Sequence, residues 1–156
     1  MGTVYVWLPN LGSVGHCSMD LHYGTYISWW PPQNVPFKKK KKKAESGQRV
    51  LPDSYSEDTE WMGRAATNRY RISRRKINRN IIKTWWNSYV TEGPCYSLLS
   101  HNCCDVILMA LKEGGAYRVV SPGFHFLNSP AFMNEYCNKL EEAPDPVCDN
   151  DECIIL

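Results

Sequence analysis

The sequence predicts an α+β domain: a small antiparallel sheet packed on helices. Two observations predict it. Apolar and polar residues alternate with period two through most of the first thirty positions, and later segments carry apolar residues at helical spacing between cap and stop signals. The length supports this, because a chain of 156 residues hides roughly two-thirds of its extended surface and builds a real core. Hydrophobic residues at 43% and charged residues at 22% are ordinary globular usage and argue against global disorder. No apolar run approaches the roughly 18 residues of a membrane span, and no secretory leader is expected. Transmembrane, collagen-like and coiled-coil classes are thereby excluded.

The elements follow in order. Thr3 to Leu8 reads as a strand, ended by the Pro9-Asn10 turn. Val14 to Tyr23 and Thr25 to Trp30 read as a hairpin that Pro31-Pro32 closes off, since proline donates nothing to a ladder. Residues 33–53 lack periodicity and carry Lys38, Lys39, Lys40, Lys41, Lys42 and Lys43 in one run, the mark of a solvated loop. Ser54-x-x-Glu57 has capping-box form, so a short helix is expected from there to Gly63. Tyr70 to Ser73 reads as one more strand. Lys76 to Tyr89 sets Ile77, Ile81, Ile82, Trp85 and Trp86 on one helical face, which is expected to be core. Ser100 or Asn102 caps a helix over Cys103 to Glu113, stopped by Gly114-Gly115, and Pro130 to Leu140 forms the last helix. The expected organisation is one domain over residues 1–140 and an acidic flexible tail over 141–156.

Charge is divided unevenly. From Lys38 to Lys83 there are 15 Lys and Arg against 5 Asp and Glu, a net of +10; from Asn134 to Leu156 there is 1 Lys against 7 acids, a net of −6. The first stretch points to an anionic partner. The lysine run fits an anionic membrane surface, at up to about 1 kcal/mol per lysine. Nonspecific nucleic-acid contact is the other use, but no aromatic-interleaved motif of a known reader is present, so no specific nucleic acid is expected.

Seven cysteines, two of them adjacent and none in a C-x-x-C pair, point to free thiols in a reducing compartment, with no metal site and no bound cofactor. Two segments look chemical. Gly15-His16-Cys17-Ser18 places an imidazole at the start of a strand. His101-Asn102-Cys103-Cys104 places a thiol in the first turn of a strong helix, where the partial positive charge of the helix end favours thiolate. An imidazole beside such a thiol takes its proton and later returns it to a leaving group.

Gly15-His16-x-Ser18 opening a hairpin, Tyr26-Ile27-Ser28-Trp29-Trp30-Pro31 ending it, and Asn102-Cys103 followed by Val106, Leu111 and Gly114-Gly115 resemble the circularly permuted papain-like thiol enzymes. In that group, which includes lecithin retinol acyltransferase and NlpC-type relatives, histidine precedes cysteine. The chain looks most like the Rho-inactivation-domain type of bacterial toxin and effector acyltransferase, over residues 3 to about 120. The resemblance implies Cys103 as nucleophile and His16 as base, with Cys104 the rival nucleophile. For the group that orients the imidazole it allows Asp53 or Asp58, with Asp58 preferred. The retinol-type enzymes instead place a polar residue on the next strand, here Ser28. Asp20 is expected to face solvent. His22 and His125 are expected to be surface or core residues, and His101 is close enough to tune the thiol.

The last residues, Cys153-Ile154-Ile155-Leu156, have the form of a geranylgeranyl-type prenylation box, with Cys148 a weaker candidate for palmitoylation. Position 6 is Val, which does not meet the N-myristoylation pattern. The resulting expectation is a cysteine-dependent acyltransferase on the cytoplasmic face of a membrane. It would use acyl-CoA as co-substrate and a lysine of a membrane-associated protein, such as a small GTPase, as acceptor. A cysteine protease, deamidase or lipid acylhydrolase would use the same residues, and a non-catalytic membrane adaptor would use only the surface.

Overall fold

A computed structural model of the chain describes residues 1–31, 51–93, 95–123 and 127–147. Strands β1 (Gly2–Trp7), β2 (His16–Asp20), β3 (Tyr26–Ser28) and β4 (Asn68–Ile72) form one antiparallel sheet in the order β3-β2-β1-β4. Helices are α1 (Tyr55–Met62), α2 (Arg79–Glu92), α3 (Cys103–Glu113) and α4 (Pro130–Glu142), with a 3₁₀ turn at Ala116–Arg118. The α+β class holds: four helices and a four-stranded antiparallel sheet packed against helices. Among the described residues no helix is long and apolar enough to cross a membrane.

Period-two alternation assigns the two faces of the sheet to two cores. Val4, Val6, Cys17, Met19, Ile27, Trp29, Tyr70 and Ile72 join the main core with α2, α3 and α4. Tyr5, Trp7 and Tyr26 form a smaller cluster with Tyr55 and Met62 of α1. Tyr5 stacks on Tyr55 at 4.2 Å between ring centroids, so aromatic contact attaches a helix with little apolar surface of its own.

Helix boundaries follow the caps. Ser54 accepts from the Glu57 N–H, and Gly63 ends α1 in the left-handed conformation at φ 67°. Asn102, rather than Ser100, caps α3 in a complete capping box with Asp105. The stripe expected from Lys76 begins later, because the Asn78 side chain accepts from the Asn80 and Ile81 N–H groups and starts α2 there. Ile77, Ile82 and Trp86 are buried as expected and Tyr89 joins them, with Trp86 and Tyr89 edge-on to Trp29, whereas Trp85 is only partly buried and Ile81 is half exposed.

Two features differ from the expected tail. Residues 141–142 complete the last turn of α4. The buried Lys76 ammonium donates to the Leu140 and Glu141 carbonyls at 2.9 and 2.8 Å, and Ser73 Oγ bonds Asp145 at 3.1 Å. A lysine at a helix C-terminus satisfies carbonyls that have no partner within the helix, and this one holds the end of α4 against the β4–α2 connection.

Candidate functional site

Gly15 positions the imidazole. Its φ is +86°, and a Cβ there would run into the Trp7 carbonyl and come within 2.9 Å of Pro130. The chain therefore turns sharply into β2. His16 opens that strand opposite Trp7 and points to the α1 face, with its ring between Trp7 and Trp30 at 5.5 and 4.5 Å. Rings at these distances favour a cation between them.

On β3 and just beyond it, Tyr26, Ser28 and Trp30 share that face, and all three donate to one carboxylate. Tyr26 O–H donates to Asp58 Oδ2 at 2.7 Å, Ser28 O–H to Oδ1 at 2.8 Å and Trp30 Nε1–H to Oδ1 at 2.9 Å. Ser18 Oγ bonds the Tyr26 hydroxyl behind them at 2.7 Å. His16 Nε2 lies 3.1 Å from Ser28 Oγ and 3.4 Å from Asp58 Oδ2. Asp58 is fully buried, a position a carboxylate occupies only when paired and hydrogen-bonded. Of the three sequence alternatives for the third group, Asp58 and Ser28 thus both meet the imidazole. Asp53 is exposed, and its N–H bonds Glu57. Asp20 pairs with His22 at 3.4 Å.

The thiol comes from the other layer. Cys103 sits in the first turn of α3 and lines one cavity with His16, near enough for each to shift the other's pKa. With Nε2 turned to Ser28 and Asp58, Nδ1 is the nitrogen left for sulfur. Cys104 is packed into the core, 1% exposed, with its Sγ 2.9 Å from that of Cys17. His101 Nδ1 is bonded to Ser100 Oγ at 3.3 Å.

Asn102 Oδ1 already accepts from the Cys104 and Asp105 N–H groups, so not every amide at this helix start faces the site. Tyr96 lines the same cavity as Cys103. Burial pushes the Tyr96 phenol well up, which keeps it a proton donor.

Burial alone would lower the His16 pKa, but the Asp58 carboxylate first and the Cys103 sulfur second raise it to about 10. Burial likewise works against ionised Asp58, yet the charge and hydrogen bond of His16, with Tyr26 and Trp30, bring its pKa below the usual value. The expected low-pKa thiol is not found. The hydrogen bond with Cys104 and burial push Cys103 well above the ordinary thiol value, while cationic His16 opposes them. The helix end is a smaller influence than desolvation here.

A cavity of about 370 Å³ opens onto this pair. His16 and Cys103 line it together with Val14, Trp29, Trp30, Met62, Tyr96 and Leu98, and among the described residues no acidic, lysine or arginine side chain does. Among the described residues no group of three His, Cys, Asp or Glu is placed to hold a metal ion. Lys38 to Lys43, His125, Cys148 and Cys153 lie outside the described residues. Sequence reasoning missed Tyr26, Trp30 and Tyr96. The signal for the first two was three hydrogen-bond donors at alternate positions 26, 28 and 30, aimed at one face.

A thiol at a helix start, an imidazole lining the same cavity and a buried carboxylate behind the imidazole form the arrangement that papain-like thiol enzymes use. Comparison with known families narrows this: the chain belongs to the family of the IcsB middle domain, whose model matches residues 36–150. Shigella IcsB is a fatty acyltransferase effector of cysteine-dependent papain-like fold, and membership implies an IcsB-like acyltransferase of the bacterial effector type. The matched stretch contains Asp58 and Cys103, and His16 precedes it. Neither a curated protein nor a solved structure matches the chain significantly.

Proposed function

We propose that the chain is a cysteine-dependent fatty acyltransferase that forms an acyl-enzyme on Cys103 and passes the acyl group to a lysine amine. The observation that carries this reading is the cavity lining. Its apolar walls end on sulfur and imidazole, which suits an alkyl chain whose carbonyl carbon must reach the thiol.

The resting pair is imidazolium beside thiol; release of one proton to solvent leaves neutral His16, which takes the thiol proton to give imidazolium and thiolate. The thiolate attacks the carbonyl of an acyl-CoA thioester. As the carbon–sulfur bond to CoA breaks, His16 gives its proton to the departing thiolate. Neutral His16 then takes the proton of the attacking lysine amine, the amide forms, and Cys103 leaves as thiolate beside imidazolium. Asp58 keeps Nε2 protonated throughout, and the Cys103 N–H and Tyr96 O–H face the carbonyl oxygen as it gains charge.

Membrane tethering by the lysine run and by prenylation of Cys153 belongs to this reading and rests on sequence alone. It would concentrate the enzyme near a membrane-associated protein substrate such as a small GTPase. The test is intact-mass analysis after incubation with palmitoyl-CoA. A hydroxylamine-labile acyl adduct in wild type, absent in Cys103→Ala and His16→Ala, supports the reading. An adduct that persists in Cys103→Ala removes it. Rapid alkylation of Cys103 with no adduct from any acyl-CoA favours a hydrolase using the same residues.

A further inference from the structure

A second cavity, of about 490 Å³, lies between the β4–α2 connection and the turn after α3, and its character is opposite to that of the thiol site. Arg74, Arg75, Arg79 and Arg118 line it, and among the described residues no acidic side chain does. Lys76 also contributes to the wall, but its ammonium is committed to the Leu140 and Glu141 carbonyls and lies 3.9 Å from Asp145. It therefore anchors the connection that carries Arg74 and Arg75. Arg79 is partly held, by the Leu21 carbonyl at 3.3 Å and over the Tyr23 ring at 5.1 Å. Arg74, Arg75 and Arg118 have no carboxylate partner among the described residues. Asn78 already occupies the first N–H groups of α2, so the attraction comes from the guanidinium groups and not from a helix end. Burial, then the positive charges of Arg79 and Arg74, lower the pKa of the Met1 amino group, the sign expected where cations crowd together.

Unpaired like charges around one concavity repel and cost stability unless an anion neutralises them, and planar guanidinium groups match phosphate oxygens in pairs. The cavity spans several arginines and so takes more than one phosphate. Its lining includes Ile77, Val119 and Pro146 but, among the described residues, no aromatic ring, which gives a nucleotide base no ring there to stack on. We infer that this groove binds a small polyol or lipid headgroup carrying two or more phosphates. The site is separate from the thiol: Cys103 begins α3 and Gly114 follows its end, roughly 16 Å apart by helical rise.

The test is calorimetric titration of the full chain with inositol 1,4,5-trisphosphate, with co-sedimentation on phosphatidylcholine vesicles containing either phosphatidylinositol 4,5-bisphosphate or phosphatidylserine at equal total charge. The expected result is saturable binding of the bisphosphate lipid above phosphatidylserine, weakened about tenfold or more in Arg74→Gln/Arg118→Gln and weakened by salt. Replacing Lys38 to Lys43 by Gln should leave titration with the soluble ligand unchanged. Soluble trisphosphate binding as tightly as the vesicle headgroup identifies a free phosphate ligand, and vesicle binding alone identifies a lipid. These side chains are solvent-facing, and matching thermal melts verify the variants' folding; Arg75→Gln serves if the pair melts early. Equal response to both vesicle types with no soluble binding, or binding unchanged in the arginine variants, overturns the inference. So does binding that emerges only after residues 148–156 are removed, because the chain's own acidic end would then be the occupant.

Discussion

Replacing Asp58 by Asn tests the core of the site at nearly constant volume. In wild type, His16 rises from 6.5 to about 10, a preference for imidazolium of about 5 kcal/mol at about 1.4 kcal/mol per tenfold step in proton affinity. A raised histidine pKa contributes stability that is fully present below the unfolded value of 6.5 and is lost as pH climbs through 10. Wild-type unfolding free energy should therefore fall between those limits, with about 5 kcal/mol as the ceiling. In Asp58→Asn the amide can still accept from Ser28 and Trp30 at Oδ1, but it presents a neutral group to Nε2. The imidazole then becomes neutral, its remaining proton free to move to Nδ1, where it can no longer take one from sulfur. The variant should lose about 3–5 kcal/mol near pH 6, the gap to wild type should narrow towards pH 10, and acyl transfer should fall about 100-fold or more. Urea unfolding at a series of pH values, with the His16 ring signal assigned by its loss in His16→Gln, measures both effects. A wild-type stability that stays flat from pH 6.5 to 10, or a gap that does not narrow, refutes the reasoning.

Three other expectations concern the helix that carries the thiol. Cys104→Ala removes the leading influence that pushes Cys103 up, so iodoacetamide should react with Cys103 faster at pH 8 than in wild type. Tyr96→Phe should lower the single-turnover rate by about 10- to 100-fold while leaving the melting temperature near wild type, since one oxyanion donor is removed. Asn102→Ala removes the cap from the Cys104 and Asp105 N–H groups, and denaturant titration should show a loss of about 1 kcal/mol.

Much of this architecture was legible because local chemistry carries it. Ser54 and Gly63 bracket α1, Asn102 and Gly114 bracket α3, and strand alternation sorts the sheet residues onto two faces. Cys103 and His16 stood out for the same reason, because each stands at the start of an element, and the structure sets both on one cavity. What was hidden depends on contacts between elements. Asp58 sits in a short polar helix where a carboxylate is ordinarily solvent-exposed, and only the three donors across β3 explain its burial. Lys76 looked like the first residue of an amphipathic helix, and its role as an anchor for α4 comes from carbonyls 64 and 65 residues later. The thiol pKa was misjudged because helix polarity can be read from sequence, whereas desolvation and the Cys104 neighbour require coordinates.

The proposed Cys103–His16 pair also joins the two sides of the sheet. His16 is braced by the aromatic cluster under α1, while Cys103 belongs to the core shared by α2, α3 and α4. Neither core alone creates a competent site, so the pair acts as a coincidence detector for folding. During denaturation, Cys103 accessibility reports one core and His16 titration the other. If both change at the same urea concentration, the domain folds as one cooperative unit; a gap between them would measure how far α1 can detach while the thiol remains in place.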